Sequence, residues 1–339
     1  MNKKRNILLT GASGTVGSEV LKQLYQHRNS FNITVFDIKS KKTERSFFAF
    51  KNHIEILYGD ISNYNEIRKV CFNKDCVIHL AAVIPPYADD FPEYAYKINA
   101  IGTENLIKNL EELSPKAFFI YSSSISVYGD RLKNPFIKVN DLLNPSAGDR
   151  YARTKIKAEQ MINESKLDWS IFRLTAIMGN HKISKLLFHM PLETSLEIAT
   201  PEDTARAFVN AINKRKLLSK KVFNLGGGVY YRTTYKEFLI RSFKIFGLGK
   251  LDFPTKAFAE KNFHCGFYED GDILDKILHF RRGTIENYYD FEINNTPFLM
   301  VLLTSLFKKL IKKILLKKSE PYIAFTSDDS IMKQQFFET

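Results

Sequence analysis

Short apolar runs alternate with stretches of helical spacing through the first half of the chain. Residues 7–10, 32–36, 54–58, 76–82 and 116–121 read as strands, and residues 18–25 and 100–113 as helices, the second with Ile101, Leu106, Ile107 and Leu110 on one face. A further helix is expected from about residue 150 to 165, and residues 201–212 and 222–225 read as a helix and a strand that return to the same sheet. This succession of βα units predicts an α/β protein with a doubly wound parallel sheet. A smaller lobe, assembled from discontinuous segments, is expected beside it.

Composition narrows the class. With 339 residues, 44 % of them hydrophobic, the chain can bury a substantial core. Its three cysteines, Cys71, Cys76 and Cys265, lack metal-type spacing, which fits a reducing compartment and predicts no metal site. The apolar run Ile7-Leu8-Leu9 is too short for a secretory signal, so a cytoplasmic location is expected. The formal charge of +13 is partly local, with Lys308, Lys309, Lys312, Lys313, Lys317 and Lys318 close together. Without basic and aromatic interleaving elsewhere, nucleic acid is not expected as a partner.

The strand at residues 7–10 runs into Gly11-Ala12-Ser13-Gly14-Thr15-Val16-Gly17 and then into a helix. In that context a glycine loop carries a pyrophosphate on the helix N-terminus: Gly11 permits the turn, Gly14 lets the backbone approach, and Gly17 allows close helix packing. Asp37 ends the second strand about 20 residues on, where a carboxylate accepts hydrogen bonds from adenosine ribose hydroxyls and disfavours a 2'-phosphate. NAD is therefore expected rather than NADP. Asp60 and Ile61 follow the third strand at the adenine end, and the small residues after Leu80, Ala81 and Ala82, would admit the cofactor backbone. His79, inside an apolar strand, reads as a structural histidine.

Tyr151 and Lys155 stand four apart on the helix expected at residues 150–165, so both point to one face. An ammonium beside a phenol lowers the phenol pKa from about 10, which suits Tyr151 to exchange protons with an alcohol and carbonyl pair. Ser124, among the hydroxyls that end the fifth strand, is placed to hold the same oxygen.

Together these residues resemble the extended short-chain dehydrogenase/reductases, a family with a Rossmann-like sheet and a sugar-nucleotide branch of epimerases and dehydratases. The resemblance rests on residues 10–17, Asp37, Gly59-Asp60-Ile61, His79-Leu80-Ala81-Ala82, Asn99 before Gly102-Thr103, Ser122-Ser123-Ser124 with Val127-Tyr128-Gly129, and Tyr151-Ala152-Arg153-Thr154-Lys155. It implies a catalytic trio of Ser124, Tyr151 and Lys155, a supporting role for Asn99, and nicotinamide-ribose contacts from Tyr151 and Lys155. The expected cofactor set is Gly11, Ser13, Gly14, Thr15, Val16, Gly17, Asp37, Asp60, Ile61, Leu80, Ala81, Ala82, Asn99, Tyr151 and Lys155.

The dehydratase branch has an Asp-Glu pair after the catalytic hydroxyl residue, where this chain has Ile125-Ser126; the epimerase branch has an Asn where Ala176 stands, with Asn180 nearby. The expected function is an NAD-dependent epimerase or dehydrogenase of a nucleotide-linked sugar. The alternatives are a reductase or dehydrogenase of a lipid, steroid-like or small carbonyl substrate, and a non-catalytic NAD-binding regulator. Arg173, Lys182, Lys185, Arg206 and Arg232 are the candidates for holding a diphosphate.

The expected organisation is a cofactor domain at 1–173, with segments returning at about 198–226, and a substrate lobe at 174–197 and 227–292. An amphipathic basic helix at 293–318 and a mobile tail at 319–339 complete it. Leu306, Leu310, Ile311, Ile314 and Leu315 lie among lysine pairs in that helix, a pattern that suits an anionic membrane surface, a second subunit of a homodimer or the enzyme body.

Overall fold

A computed structural model describes residues 3–179 and 184–337. In chain order its strands are β1 (Arg5–Thr10), β2 (Phe31–Asp37), β3 (Glu55–Tyr58), β4 (Cys76–His79), β5 (Phe118–Ser124), β6 (Phe136–Ile137), β7 (Asp168–Leu174), β8 (Ala176–Ile177), β9 (Ser195–Ala199), β10 (Lys221–Leu225), β11 (Arg232–Thr234) and β12 (Phe267–Tyr268). Seven of them form one sheet in the order β10-β7-β5-β4-β1-β2-β3, with every neighbouring pair parallel. The strand order reverses beside β1, so the C-terminal ends of β1 and β4 border the crevice where such sheets take ligands.

The unbroken apolar runs have a direct cause. Ile7 and Leu9 of β1, Ile78 of β4, and Phe118 and Ile120 of β5 face one core, shared with the helices Thr15–Gln26 and Pro201–Ala211. Leu8, Val77, Phe119 and Tyr121 face the other, shared with Gly102–Leu113 and Arg150–Glu164. A strand with a helix layer on each side has no water-facing positions, so the alternation of a half-exposed strand disappears.

A third core belongs to the smaller lobe. Phe188, Leu196, Ile198, Phe238, Phe243 and Phe258 are buried there, around a three-stranded sheet in the order β11-β9-β8. A parallel pair, β12 with β6, links the segment after β5 to the lobe. The chain after residue 319, expected as a mobile tail, is placed in the helices Glu320–Thr326 and Ser330–Phe336. Ala324, Phe336 and Phe337 are buried against Ala259, so this segment is held by apolar packing that its short, polar-interrupted sequence conceals.

The two regions are riveted beneath the crevice by buried charge. Arg173 of β7 donates from Nε and Nη2 to the two carboxylate oxygens of Glu159, at 3.0 and 2.7 Å, and from Nη1 to the Tyr128 hydroxyl at 2.8 Å. Tyr128 donates to Asn224 of β10, whose amide donates to Asp270. Both Arg173 and Glu159 are nearly inaccessible. Removing one partner strands the other charge, which costs about 3–5 kcal/mol, whereas removing both with apolar replacements is much less costly. Urea unfolding of Arg173→Met is therefore expected to show a loss of that size, and Arg173→Met/Glu159→Leu to recover a large part of it.

Candidate active site

The glycine loop is shaped by contacts that leave no room for side chains. Gly11 has φ +73°, and a Cβ on it would lie 2.5 Å from the Ala81 nitrogen. A Cβ on Gly17 would lie 2.0 Å from the Gly11 carbonyl oxygen. Gly14 serves as N-cap of the helix Thr15–Gln26 and no side chain caps that end, so the first amides of the helix are available to an anion. The Ser13 amide donates to Asp37 Oδ2 at 2.8 Å and the Ile38 amide to Oδ1 at 2.8 Å. Two backbone donors thus fix the Asp37 carboxylate at the β2 terminus with lone pairs left to accept from a diol. Asp60 accepts from the Ser62 amide and hydroxyl, and Ile61 packs beneath Gly102.

His79 is wholly buried between two threonines. Thr103 Oγ1 donates to the Asn99 carbonyl and therefore accepts from His79 Nε2 at 2.9 Å. Nδ1 is left to accept from Thr10 Oγ1 at 2.7 Å. This assigns a neutral ring with the proton on Nε2, and burial, with the Lys155 charge adding to it, lowers its pKa to about 3. His79 is a brace between the ends of β1 and β4 and the helix that begins at Gly102.

Asn99 sits in a π-helical turn, Lys97–Ile101, immediately before that helix. Its side-chain oxygen accepts from the Val83 amide at 2.7 Å, and its nitrogen donates to the Val83 carbonyl at 2.9 Å and to Thr154 Oγ1 at 3.0 Å. One side chain therefore holds the loop after β4 against the helix that carries Tyr151 and Lys155.

That helix, Arg150–Glu164, begins at Asp149, whose carboxylate accepts from the Ala152 amide at 2.8 Å. Tyr151 and Lys155 are both buried on its inner face. Lys155 Nζ donates to the Ser122 carbonyl at 2.8 Å and lies 4.8 Å from the Tyr121 ring centroid and 5.8 Å from that of Tyr151. Ser124 lies close enough to Tyr151 to lower its phenol pKa, and Ser124 Oγ accepts from the Ser126 hydroxyl at 3.0 Å. The three residues read from the sequence thus converge at the C-terminal end of β5.

The electrostatics differ from the sequence expectation in one respect. Desolvation raises the Tyr151 phenol above its ordinary 10 and outweighs the hydrogen bond from Ser124, which lowers it. The ammonium is directed to a backbone carbonyl instead of the phenol, so its attraction does not prevail here. Burial also pulls Lys155 itself from its ordinary 10.5 down to about 7, against the raising pull of Glu159.

Two features near the site were missed in the sequence. Glu159, one turn beyond Lys155, accepts from the Ser123 hydroxyl as well as from Arg173; a lone Glu in a helix full of polar residues carries no signal of burial. At the outer rim Lys185 donates to both Asp90 and Glu320, each at 2.9 Å, and His189 pairs with Glu320. The candidate diphosphate ligands are engaged in the same way: Arg173 with Glu159, Arg206 with Glu202 and Asp203, Arg232 with Glu197, and Lys185 with Asp90 and Glu320. Lys182 and Asn180 lie outside the described residues.

Fold and site together give a parallel α/β sheet with a glycine loop at its crevice and a Tyr-Lys pair at the end of a central strand. The model of the 3-beta hydroxysteroid dehydrogenase/isomerase family matches residues 8–171. A 3 beta-hydroxysteroid dehydrogenase/Delta 5-->4-isomerase of Monkeypox virus is 25 % identical over 322 residues, 86 % of this chain and 89 % of that one. The UDP-glucose 4-epimerase of Pisum sativum is 28 % identical over 201 residues, 54 % of this chain and 55 % of that one. Among solved structures, the UDP-glucuronic acid 4-epimerase of Bacillus cereus, in complex with UDP-glucuronic acid and NAD, superposes with a TM-score of 0.67 at 19 % identity, covering 85 % of this chain and 98 % of that one. The chain is thus similar to that dehydrogenase/isomerase family over residues 8–171, and in fold to a nucleotide-sugar epimerase.

Two outcomes follow from the site. Asp37→Ser removes the carboxylate that would accept from a ribose diol; fluorescence titration is expected to show NADH binding weakened by about 10- to 150-fold and discrimination against NADPH largely lost, as befits the loss of about 1.5–3 kcal/mol of charged hydrogen bonding. Lys155 binds fewer protons folded than unfolded between its lowered value of about 7 and 10.5, so its penalty is full below about pH 7 and is relieved as pH rises. The urea midpoint of the ligand-free protein is expected to climb between about pH 7 and 9, and Lys155→Met to abolish that climb.

Proposed function

We propose that this is an NAD-dependent enzyme that moves hydride between a secondary ring alcohol and its ketone. The convergence of Tyr151, Lys155 and Ser124 beside the glycine loop carries the reading. The loop fits the cofactor because its close approach to β4 excludes side chains and leaves the helix amides uncapped. Bound NAD supplies the hydride acceptor or donor at its nicotinamide ring.

The remaining work belongs to the chain. Ser124 donates to the reacting oxygen and fixes its direction. Tyr151 takes the proton of the alcohol as the carbon-bound hydrogen departs, and returns it in the reverse direction. The raised pKa of Tyr151 in the ligand-free site places a demand on Lys155: only when its ammonium faces the phenol does it favour the phenolate. Asn99 and Thr154 keep the helix in register for that exchange.

The favoured substrate is an alicyclic, steroid-like alcohol. Similarity to the Monkeypox virus dehydrogenase/isomerase extends over 86 % of the chain, and so into the smaller lobe. Arg173, Lys185, Arg206 and Arg232 are already engaged by carboxylates of the chain itself. Epimerisation of a nucleotide-linked sugar is the second reading, favoured by the likeness in fold to a UDP-glucuronic acid 4-epimerase across both lobes.

Turnover assays with NAD and either a 3β-hydroxysteroid or a UDP-sugar separate the two. NADH production from the steroid, without conversion of the UDP-sugar, is the expected result; epimerisation of the sugar without net NADH would reverse the choice. Tyr151→Phe is expected to lose about 10²–10⁴-fold in kcat while retaining NAD binding. Unaltered turnover in that variant would remove the catalytic assignment, and absence of turnover in the parent protein with any hydroxyl substrate would favour a regulator.

A further inference from the structure

The helix Phe298–Leu316 turns its apolar side outward. Val301, Thr304, Ile311 and Leu315 face the lobe, and of the whole helix only Leu315 is buried. Leu299, Leu302, Leu303, Leu306, Phe307 and Leu310 are exposed, with Leu306 74 % accessible. At the angular spacing of an α-helix these six lie within an arc of roughly 140°, on the side away from the lobe. A helix that served only to cover the lobe would carry polar residues there.

The charges beside this stripe are all of one sign. The helix has no Asp or Glu. Lys309 and Lys313 run along one edge of the stripe, and Lys317 and Lys318 stand at its C-terminal end. Lys312 is set apart, because it is turned towards the lobe and pairs with Asp252. Long lysine stems can lie along an apolar surface while their ammonium groups reach outward. The same helix of a second copy would bring the same lysines and no acid of its own to meet them. Among the described residues no helix is long and apolar enough to cross a membrane, which leaves an orientation along the surface.

We infer that Phe298–Leu316 docks the protein onto an anionic lipid surface, with the leucine stripe among the acyl chains and Lys309, Lys313, Lys317 and Lys318 at the phosphates. The inference does not depend on the catalytic reading, since it uses a different face of the lobe and no residue of the cofactor site.

Flotation of the purified full chain with vesicles tests it. Binding is expected to vesicles of phosphatidylcholine mixed with phosphatidylglycerol, and to be much weaker with phosphatidylcholine alone. Leu306→Asp/Leu310→Asp alters exposed positions only, so the fold is expected to survive, as judged by an unchanged urea midpoint, while the bound fraction falls by about tenfold or more. Lys309→Gln/Lys313→Gln is expected to weaken binding to the anionic vesicles and to leave the residual binding to phosphatidylcholine unchanged. Failure of the parent protein to float with either vesicle, or equal flotation of the aspartate variant, would overturn the inference. A dimer that dissociates in the aspartate variant, with no flotation of the parent, would assign the stripe to a second copy instead.

Discussion

The site depends on how one buried ammonium is accommodated. Lys155 lies in the interior with its Nζ on the Ser122 carbonyl and the Tyr121 and Tyr151 rings around it. Such a charge is costly unless its surroundings supply compensating dipoles or opposite charge. The carbonyl supplies the first and Glu159 the second. Glu159 is itself buried, and Arg173 pairs with it. The chain of compensation therefore runs from the helix Arg150–Glu164 through β7 to Tyr128, in the turn after β5, and on to Asn224 of β10. The Tyr-Lys pair can be read on one helix, but its electrostatic state is set by three other elements.

The same logic explains the uncharged side of the crevice. His79 is kept neutral by burial and by two hydroxyls whose donor directions are fixed. A protonated ring there would stand near Lys155 and oppose its charge. A neutral brace at the end of β4 joins the strands without adding a cation, and Asn99 extends the brace to the helix Arg150–Glu164 with neutral hydrogen bonds alone.

The cofactor half was legible because its chemistry is local. A glycine loop, an acid at the end of β2, and a Tyr and Lys four apart each need neighbours only a few residues away. Strand boundaries shifted by up to three residues: β4 ends at His79 rather than at Ala82, and β5 extends through Ser124, where a break before the serines was expected. What escaped were long-range pairings. Arg173 read as a diphosphate ligand because nothing in the sequence shows that Glu159 faces it. The segment after residue 319 read as mobile because Ala324 and Phe336 look isolated until Ala259 is placed against them. The lowered phenol pKa expected for Tyr151 assumed an ammonium aimed at it, whereas the folded chain aims that ammonium at Ser122.

Substrate choice is the least local property of all. In the first half of the chain, the candidate cofactor contacts are backbone amides of the glycine loop and the Asp37 carboxylate. In the smaller lobe, candidate diphosphate cations among the described residues are engaged with acids of the same chain, some across long sequence separations: Arg232 with Glu197, Lys185 with Asp90 and Glu320. A phosphate ligand would have to displace these carboxylates and leave them near its own charge, an exchange with little net electrostatic gain. An apolar ring system makes no such demand. It requires only that the pairs stay closed, and the helices after residue 319 help to keep them so, because Glu320 holds both Lys185 and His189. The terminal segment, featureless in sequence, is thereby tied through Glu320 to the charges of the smaller lobe.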